Sequence, residues 1–214
     1  ARVSGDDIRY VIHKNWQQEA SADYSNQLKV LNYNTWILLP GIIAKNSSAR
    51  LDTIAEYVKG YDVVVFEEVF DPVLTAKFRS ALRDEYPFQT DIPWKFGKIL
   101  NGGSFIASRW PIVEQDSQVY DACRKDGCLA AKGINYAKIM KGSNAFHIFG
   151  THTHAYTSEA DIAVRFQHLA QFKAMVQNVE MDQQGPPSTH SNNIPLTRDD
   201  KRIGGVAIQP YGSK

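Results

Sequence analysis

A wholly apolar segment from Val63 to Phe66 is followed directly by two adjacent carboxylates, Glu67 and Glu68. A short apolar run of this kind predicts a buried strand, and an unpaired charge at its end would be costly. The carboxylates are therefore expected to be hydrogen-bonded, ion-paired or bound to a metal, unless one of them faces solvent. A buried strand requires other elements to cover both of its faces, so it constrains the fold of the rest of the chain.

Helical patterns lie on both sides of this strand in the sequence. The preceding helix is expected to begin with Ser47 or Ser48 as its N-cap and to stop at Gly60. The following helix begins with Asp71 as N-cap and Pro72 at its first position, and it is expected to run to about residue 86. An earlier strand is predicted in the segment LKVLNYN, which begins at residue 28. Strands that alternate with helices favour a layered α/β protein with a mixed sheet.

Strand pairs with short turns follow in the second half of the chain. A strand, a turn and a returning strand are predicted in GGSFIASRWPI. Two further strands are predicted in GINYAKIM and AFHIFGTHTH. A long helix is expected to start near Ser158. Its predicted buried stripe consists of four apolar residues: Ile162, Phe166, Leu169 and Val176.

Length and charge restrict the class of protein. The 214 residues suffice for one domain, predicted over residues 27–214 and preceded by an extension, residues 1–26, with one strand candidate at Ile8 to His13. The net charge of +1 gives no support to nucleic-acid binding. No apolar run approaches the roughly 18 to 20 residues that span a bilayer, so no transmembrane segment is expected.

Two cysteines, Cys123 and Cys128, lie in the polar segment ACRKDGC. They are either two buried thiols or a small disulfide loop, and the charged residues around them favour the loop. A disulfide favours an oxidising extracellular or periplasmic setting. A zinc site is disfavoured because this loop offers no further Cys or His.

Polar side chains at strand ends are the candidates for chemistry. Asn34 and Glu68 offer the oxygen ligands that suit Mg²⁺, and His152 beside such a site suits phosphate binding or proton transfer. Each residue has a plainer alternative, such as a turn position or a surface ion pair. His152 and His154 are two residues apart and face the same side if the strand continues, but a zinc pair is disfavoured without a third nitrogen or sulfur ligand. Lys132 is either solvated or close enough to reach a substrate phosphate.

Two further pairs of residues have open interpretations. Arg165 and His168 are expected on a polar face of the long helix. Trp94 and Phe96, in IPWKFGK, either pack at the sheet edge or contact an amphiphilic substrate.

Six segments in order complete the pattern: LKVLNYNTW, YDVVVFEEVFD, NGGSFIASRWPI, AAKGINYAKI, HIFGTHTHA and VRFQHLAQF. Over about residues 28 to 180 this series resembles the secreted bacterial sphingomyelinases C of the endonuclease/exonuclease/phosphatase superfamily, and the neutral sphingomyelinases of animals look similar. The resemblance implies a DNase I-like four-layer sandwich of two mixed β-sheets flanked by helices. It also implies Mg²⁺-dependent hydrolysis of sphingomyelin, at a membrane surface, to ceramide and phosphocholine.

The resemblance also implies roles for individual residues. Glu68 matches the metal-binding glutamate, whereas Glu67 stands where the family more often has a neutral amide and is interpreted as a neighbour. The remaining assignments are catalytic Asn34 and His152, and substrate-binding Lys132 and His154. A secreted monomer, with the disulfide between Cys123 and Cys128, is expected.

The family pattern continues with a strand ending in GGDxN and a terminal SDH, whose Asp–His pair supplies the general base. Here Val206 and Ile208 stand at the Asp and Asn positions, and no SDH follows. Omitted segments or truncation are the favoured explanations. The alternative is a catalytically defective, membrane- or host-binding homologue on the same scaffold, and a nuclease of the same superfamily is less favoured.

Overall fold

The computed structural model describes residues 26–38 and 46–184, with side chains to residue 181. The strand candidate at Ile8 to His13 and the positions of Val206 and Ile208 lie outside these ranges. The helices are α1 (Ser47–Tyr57), α2 (Pro72–Ala81) and α3 (Glu159–Gln184). The strands are β1 (Val30–Ile37), β2 (Val63–Val69), β3 (Phe88–Gln89), β4 (Phe105–Ser108), β5 (Ile112–Val119), β6 (Gly133–Lys141) and β7 (Asn144–Thr151).

These strands form two sheets. The first has the order β1-β2-β4-β3, in which β1 and β2 are parallel and the other pairs are antiparallel. The second has the order β5-β6-β7 and is wholly antiparallel over the described residues, whereas a mixed sheet is expected from the family resemblance. The hairpin between β6 and β7 turns at Lys141 to Asn144, where the sequence predicts it.

Three apolar clusters lie between four layers. Val64 and Phe66 face α1 and α2, whereas Val63 and Val65 face the second sheet, because side chains of a strand alternate between its two faces. A third cluster joins β6 and β7 to α3, with Phe149 in ring contact with both Tyr136 and Phe172. The order helix, sheet, sheet, helix confirms the predicted four-layer architecture.

Helix boundaries agree with the sequence where a capping side chain defines them. Asp71 accepts a hydrogen bond from the backbone N–H of Leu74, and Pro72 is the first helical residue of α2. The start of α1 differs, because Asn46 has a left-handed backbone (φ 55°) that Asn tolerates, and the helix begins directly after it. Helix α2 ends at Ala81, earlier than the predicted residue 86.

The predicted buried stripe of α3 is wrong at three of its four positions, whereas Val176 packs against the third apolar cluster. Phe166 is 68% exposed, and Ile162 and Leu169 are each 37% exposed. The buried face instead carries Val164, His168, Phe172 and Met175.

Buried polar contacts explain this rotation of α3. His168 is only 2% exposed, stacks on Tyr120 with ring centroids 3.8 Å apart, and its Nε2 lies 2.8 Å from the carbonyl oxygen of Ala122. Asp161, at the start of the helix, is also buried by hydrogen-bonding partners. His168 therefore does not lie on an exposed polar face, because specific partners far away in the sequence set the orientation of the helix.

Candidate functional site

The candidate site lies where β1, β2 and β7 end. Parallel pairing sets Asn34 of β1 opposite Glu67 of β2. The inner faces of the two sheets pack together, with Val65 against the backbone of Gly150. This packing brings the end of β7, and His152 directly after it, to the carboxyl ends of β1 and β2. Strand ends of this kind are where α/β proteins build their sites.

Glu67 is buried and joins two strands through its carboxylate. It follows Val63 and Val65 in the alternation of β2, so its side chain enters the layer between the sheets. One oxygen accepts a hydrogen bond from the side-chain amide of Asn32 (2.7 Å), and the other lies 2.6 Å from Nδ1 of His152. Glu67 is therefore more than the neighbour of Glu68 that the sequence suggested. Its alternation with the valines was the signal that indicated an inward position.

Glu68 faces the same histidine because the backbone turns there. Its φ of 57° is in the left-handed region, which a residue with a Cβ adopts at a cost and which is common at functional sites. In a regular strand Glu68 would face the helices, opposite to Glu67. Instead, its Oε1 lies 3.4 Å from Nε2 of His152. One imidazole is thus placed between two successive carboxylates.

The end of β1 is irregular, like the end of β2 at Glu68. The pairing between β1 and β2 shifts between Asn34 and Ile37, and Trp36 has a φ of 51°. Asn34 accepts a hydrogen bond from the backbone N–H of Trp36 (3.0 Å), and Arg50 of α1 donates to the carbonyl oxygens of Thr35 and Trp36. These contacts hold the amide of Asn34 at the wall of the site.

A cavity of about 880 Å³ opens in front of these strand ends. Its polar wall contains Asn34, Glu68, Lys132 and His152, four of the five site residues that the sequence predicts. Its apolar wall comes from the exposed side of α3, the stripe that the sequence had placed in the core. This side includes three residues: Ile162, Phe166 and Leu169.

Lys132 projects its ammonium group into a poorly hydrated part of the site. Burial lowers the pKa of Lys132, and the negative charges of Glu68, Asp126 and Glu67 oppose that shift. Its Nζ donates to the carbonyl oxygen of Thr153 over 3.3 Å. An anionic ligand would stabilise the charged form of a buried ammonium group whose present partner is a neutral carbonyl oxygen. This agrees with the predicted contact between Lys132 and a substrate phosphate.

His154 lines the cavity but is only 3% exposed. Its Nε2 lies 3.1 Å from Oδ1 of Asp161, and its backbone N–H faces Nδ1 of His168. Hydrogen bonding from the Ser158 hydroxyl, aided by His154 and Lys125, holds the pKa of the Asp161 carboxyl well below its usual range. The burial of His154 favours a positioning role over the substrate contact predicted from the sequence.

The loop between Cys123 and Cys128 belongs to the same network. The structure joins these two cysteines in a disulfide. Arg124 and Lys125 of the loop lie 3.2 Å and 3.5 Å from the Asp161 carboxylate. The disulfide loop is therefore attached to the start of α3, beside the cavity.

The donor set at the cavity fits a hard divalent cation. Glu68 contributes a partly exposed carboxylate, and Asn34 contributes an amide oxygen on the same wall. Mg²⁺ takes one or two protein carboxylates and keeps several waters, so it needs no larger protein cage. Among the described residues, no group of three or more His, Cys, Asp or Glu side chains forms such a cage.

Known proteins share sequence and fold with part of this chain. No profile of a known protein family matches the chain. A sphingomyelinase C of Bacillus cereus is 33% identical over 184 residues, which are 76% of this chain and 55% of that protein. Sphingomyelinase C 2 of Leptospira interrogans is 36% identical over 146 residues, 59% of this chain and 23% of that protein.

A solved structure resembles the fold over a similar range. A Staphylococcus aureus beta toxin variant with bound magnesium ions superposes with a TM-score of 0.66 and 27% identity, covering 75% of this chain and 60% of the toxin. The chain thus spans about half the length of the Bacillus relative and less of the Leptospira one. Over the part that it shares with them, the chain is homologous to the bacterial sphingomyelinases C and has their DNase I-like fold.

Proposed function

We propose that the protein is a Mg²⁺-dependent phosphodiesterase that hydrolyses sphingomyelin to ceramide and phosphocholine, and that it acts outside the cell as a monomer. The observation that carries the proposal is the placement of His152 between Glu67 and Glu68, on the same cavity as Asn34 and Lys132. The relatives that are named sphingomyelinase C, and the disulfide, support it.

Glu68 and Asn34 would hold the metal ion. When bound, Mg²⁺ would neutralise negative charge on the phosphodiester and make it more electrophilic. Lys132 would bind a non-bridging phosphate oxygen. This ion pair would compensate its ammonium group for the hydration that it loses on burial.

His152 would act on the reacting oxygens through Nε2. Glu67 lies at hydrogen-bond distance from Nδ1, so it accepts the proton on that nitrogen and orients the ring. Nε2 is then the nitrogen directed toward Glu68 and the cavity. A proton held on Nε2 would stabilise negative charge that develops on a phosphoryl or leaving oxygen.

The shape of the cavity fits an amphiphilic substrate. Charged groups lie on the strand side, and the side chains of Ile162, Phe166 and Leu169 lie on the α3 side. A phosphodiester with an attached hydrocarbon backbone matches both walls, whereas a nucleic acid would require a basic groove that a net charge of +1 does not favour.

The test is phosphocholine release from sphingomyelin, with and without Mg²⁺, by the wild-type protein, Glu68→Ala and Glu114→Ala. Glu114 is an exposed carboxylate on β5 and serves as the matched control. We expect Glu68→Ala to lose about 100-fold or more in rate, as is typical when an electrostatic group of a catalytic site is removed. Titration calorimetry with Mg²⁺ alone should show weaker binding by Glu68→Ala than by Glu114→Ala.

A catalytically defective, membrane- or host-binding homologue is the second candidate, favoured by Val206 and Ile208 at the positions of the GGDxN motif. Sphingomyelin binding without metal-dependent phosphocholine release from the wild-type protein would support this candidate and contradict the enzymatic one. Full activity of Glu68→Ala would instead contradict the metal-ligand assignment.

A further inference from the structure

The loop that precedes β4 leaves the first sheet at the same edge as the site. Strand β4 runs antiparallel to β2, with Phe105 paired to Phe66, so the chain before Phe105 lies beside the carboxyl end of β2. The backbone N–H of Val69 donates to the carbonyl oxygen of Gly103 over 2.8 Å, which extends this contact past Glu67 and Glu68. The N–H of Gly102 donates to the carbonyl oxygen of Pro93 over 2.7 Å, so both ends of the loop, residues 93–104, lie at the edge of the sheet that carries the cavity.

Four large apolar side chains are exposed on this face. Phe96 is 90% exposed, Ile99 75%, Trp94 63% and Leu129, from the neighbouring loop, 45%. These four residues are called the apolar rim below. Their exposure contradicts packing at the sheet edge, which is the first of the two interpretations of Trp94 and Phe96. Adjacent exposed apolar groups of this size are typical of an interaction surface.

The apolar rim is held in place by backbone contacts. The N–H groups of Ile99 and Leu100 both lie 2.9 Å from the carbonyl oxygen of Leu129. The tip is a closed turn, in which the N–H of Lys98 donates to the carbonyl oxygen of Lys95 and Gly97 has a φ of 86°. The ordered base of the loop means that its side chains are presented outward on a fixed support.

Basic groups are interleaved with the apolar rim. Lys95 and Lys98 alternate with Trp94, Phe96 and Ile99 along the chain. The disulfide loop adds Arg124 and Lys125, and the acidic groups beside these cations are Asp121, Asp126 and Asp161. Aromatic rings with neighbouring lysines match the membrane interface, where rings occupy the headgroup layer and ammonium groups reach lipid phosphates.

The disulfide loop connects the apolar rim to the cavity. Lys98 donates its ammonium proton to the carbonyl oxygen of Cys128 over 3.0 Å, which ties the two loops together. On the other side of the disulfide loop, Lys125 lies 4.9 Å from the ring centroid of Tyr156, and the Tyr156 hydroxyl donates to Asp126. Tyr156 lines the cavity. The apolar rim and the cavity mouth are therefore parts of one surface.

We propose that the apolar rim inserts into the interfacial layer of a phospholipid bilayer and sets the cavity mouth against the membrane surface. The inference deepens the proposed function, since a lipid substrate has to be reached in its bilayer. The alternation of rings and lysines favours a bilayer over a second copy of the chain, because a zwitterionic headgroup layer accepts both apolar and cationic groups.

The test measures binding to vesicles of phosphatidylcholine and sphingomyelin in equal parts, by co-sedimentation, with EDTA present to prevent metal-dependent turnover. Phe96→Ser should weaken partitioning about tenfold, the equivalent of about 1.4 kcal/mol, and Trp94→Ser should have a similar effect. Tyr57→Ser is the matched control, because Tyr57 is 68% exposed and lies beside Tyr33 of β1, the other edge strand of the first sheet. It should bind like the wild-type protein.

A turnover ratio separates failure of this inference from failure of the proposed function. If the protein is a sphingomyelinase, Phe96→Ser should lower the ratio of vesicle turnover to turnover of a water-soluble short-chain sphingomyelin about tenfold. Vesicle binding that depends on Phe96, without any turnover, would overturn only the proposed function.

Two results would overturn the inference itself. One is equal vesicle binding by the wild-type protein and Phe96→Ser, including the absence of binding by both. The other is a wild-type dimer in sedimentation velocity that Phe96→Ser converts to a monomer, because a second copy would then cover the apolar rim. Equal thermal unfolding temperatures of the variants would show that neither result comes from misfolding.

Discussion

The bridge from Asn32 through Glu67 to His152 can be tested by its effect on stability. In Glu67→Ala, the side-chain amide of Asn32 and Nδ1 of His152 lose their acceptors, at 2.7 Å and 2.6 Å respectively. An unsatisfied buried donor costs about 1 to 3 kcal/mol. The His152 side chain is 17% exposed, so water reaches it and its cost lies at the low end of that range.

The net loss is smaller than the sum of these costs. Removing Glu67 also removes a buried carboxylate beside the second carboxylate of Glu68, which offsets part of the loss. We expect Glu67→Ala to destabilise the fold by about 2 kcal/mol, which for a chain of this length lowers the unfolding temperature by about 4 to 8 °C.

Glu67→Gln is the matched variant. The Oδ1 of Asn32 is buried and has no hydrogen-bond partner. A rotated Asn32 amide can therefore accept from the new Gln amide, while the Gln carbonyl oxygen accepts from His152. This rearrangement keeps two hydrogen bonds, so we expect a cost of about 1 kcal/mol or less.

Thermal unfolding followed by circular dichroism measures both variants, and Glu56→Ala serves as a control for the loss of a solvent-exposed carboxylate. Equal destabilisation by Glu67→Ala and Glu67→Gln would refute the argument, because the charge and not the hydrogen bonds would then hold the bridge. An unchanged unfolding temperature in Glu67→Ala would show that the bridge does not stabilise the fold.

Three further predictions concern the surroundings of the site. The depressed pKa of Asp161 means that its ionised carboxylate stabilises the fold above pH about 4 and that this contribution is lost as the pH falls toward the folded-state pKa. Between about pH 5 and pH 2, the unfolding temperature should therefore fall less in Asp161→Asn than in the wild-type protein. Replacement of Cys123 and Cys128 by serine should destabilise the fold by about 2 kcal/mol in denaturant titrations, the chain-entropy value for so short a loop, and no loss would mean that the disulfide does not constrain the unfolded chain. On α3, Phe172→Ala should cost about 3 kcal/mol and Phe166→Ser less than about 0.5, and the reverse order in the same titration would contradict the observed orientation of the helix.

Several parts of the fold could be predicted because their signals are local. The N-cap of Asp71 with Pro72, the apolar run of β2 and the turn between β6 and β7 each depend on a few adjacent residues. The polar residues Asn34 and His152 were also found from local signals, because each stands at the end of a predicted strand. Their proximity follows when the ends of these strands meet at one edge.

The orientation of α3 could not be predicted in the same way. Apolar residues at positions 162, 166 and 169 give an apolar stripe, but a helix can present more than one such stripe. The stacking of His168 on Tyr120 and the burial of Asp161 select the other face. Tyr120, and the Arg124 and Lys125 that pair with Asp161, are distant in the sequence, so periodicity within the helix holds no information about them.

The sequence by itself determined the order of strands and helices and the polar strand ends that form the site, and the resemblance to a known family implied the four layers. Only the tertiary structure decided that Glu67 bridges to His152, that a left-handed turn brings Glu68 to the same ring, and that Trp94 and Phe96 face outward. The physical reason is that local patterns determine the period of an element. Its rotation and its exposed face are decided by contacts between elements that are far apart in the chain.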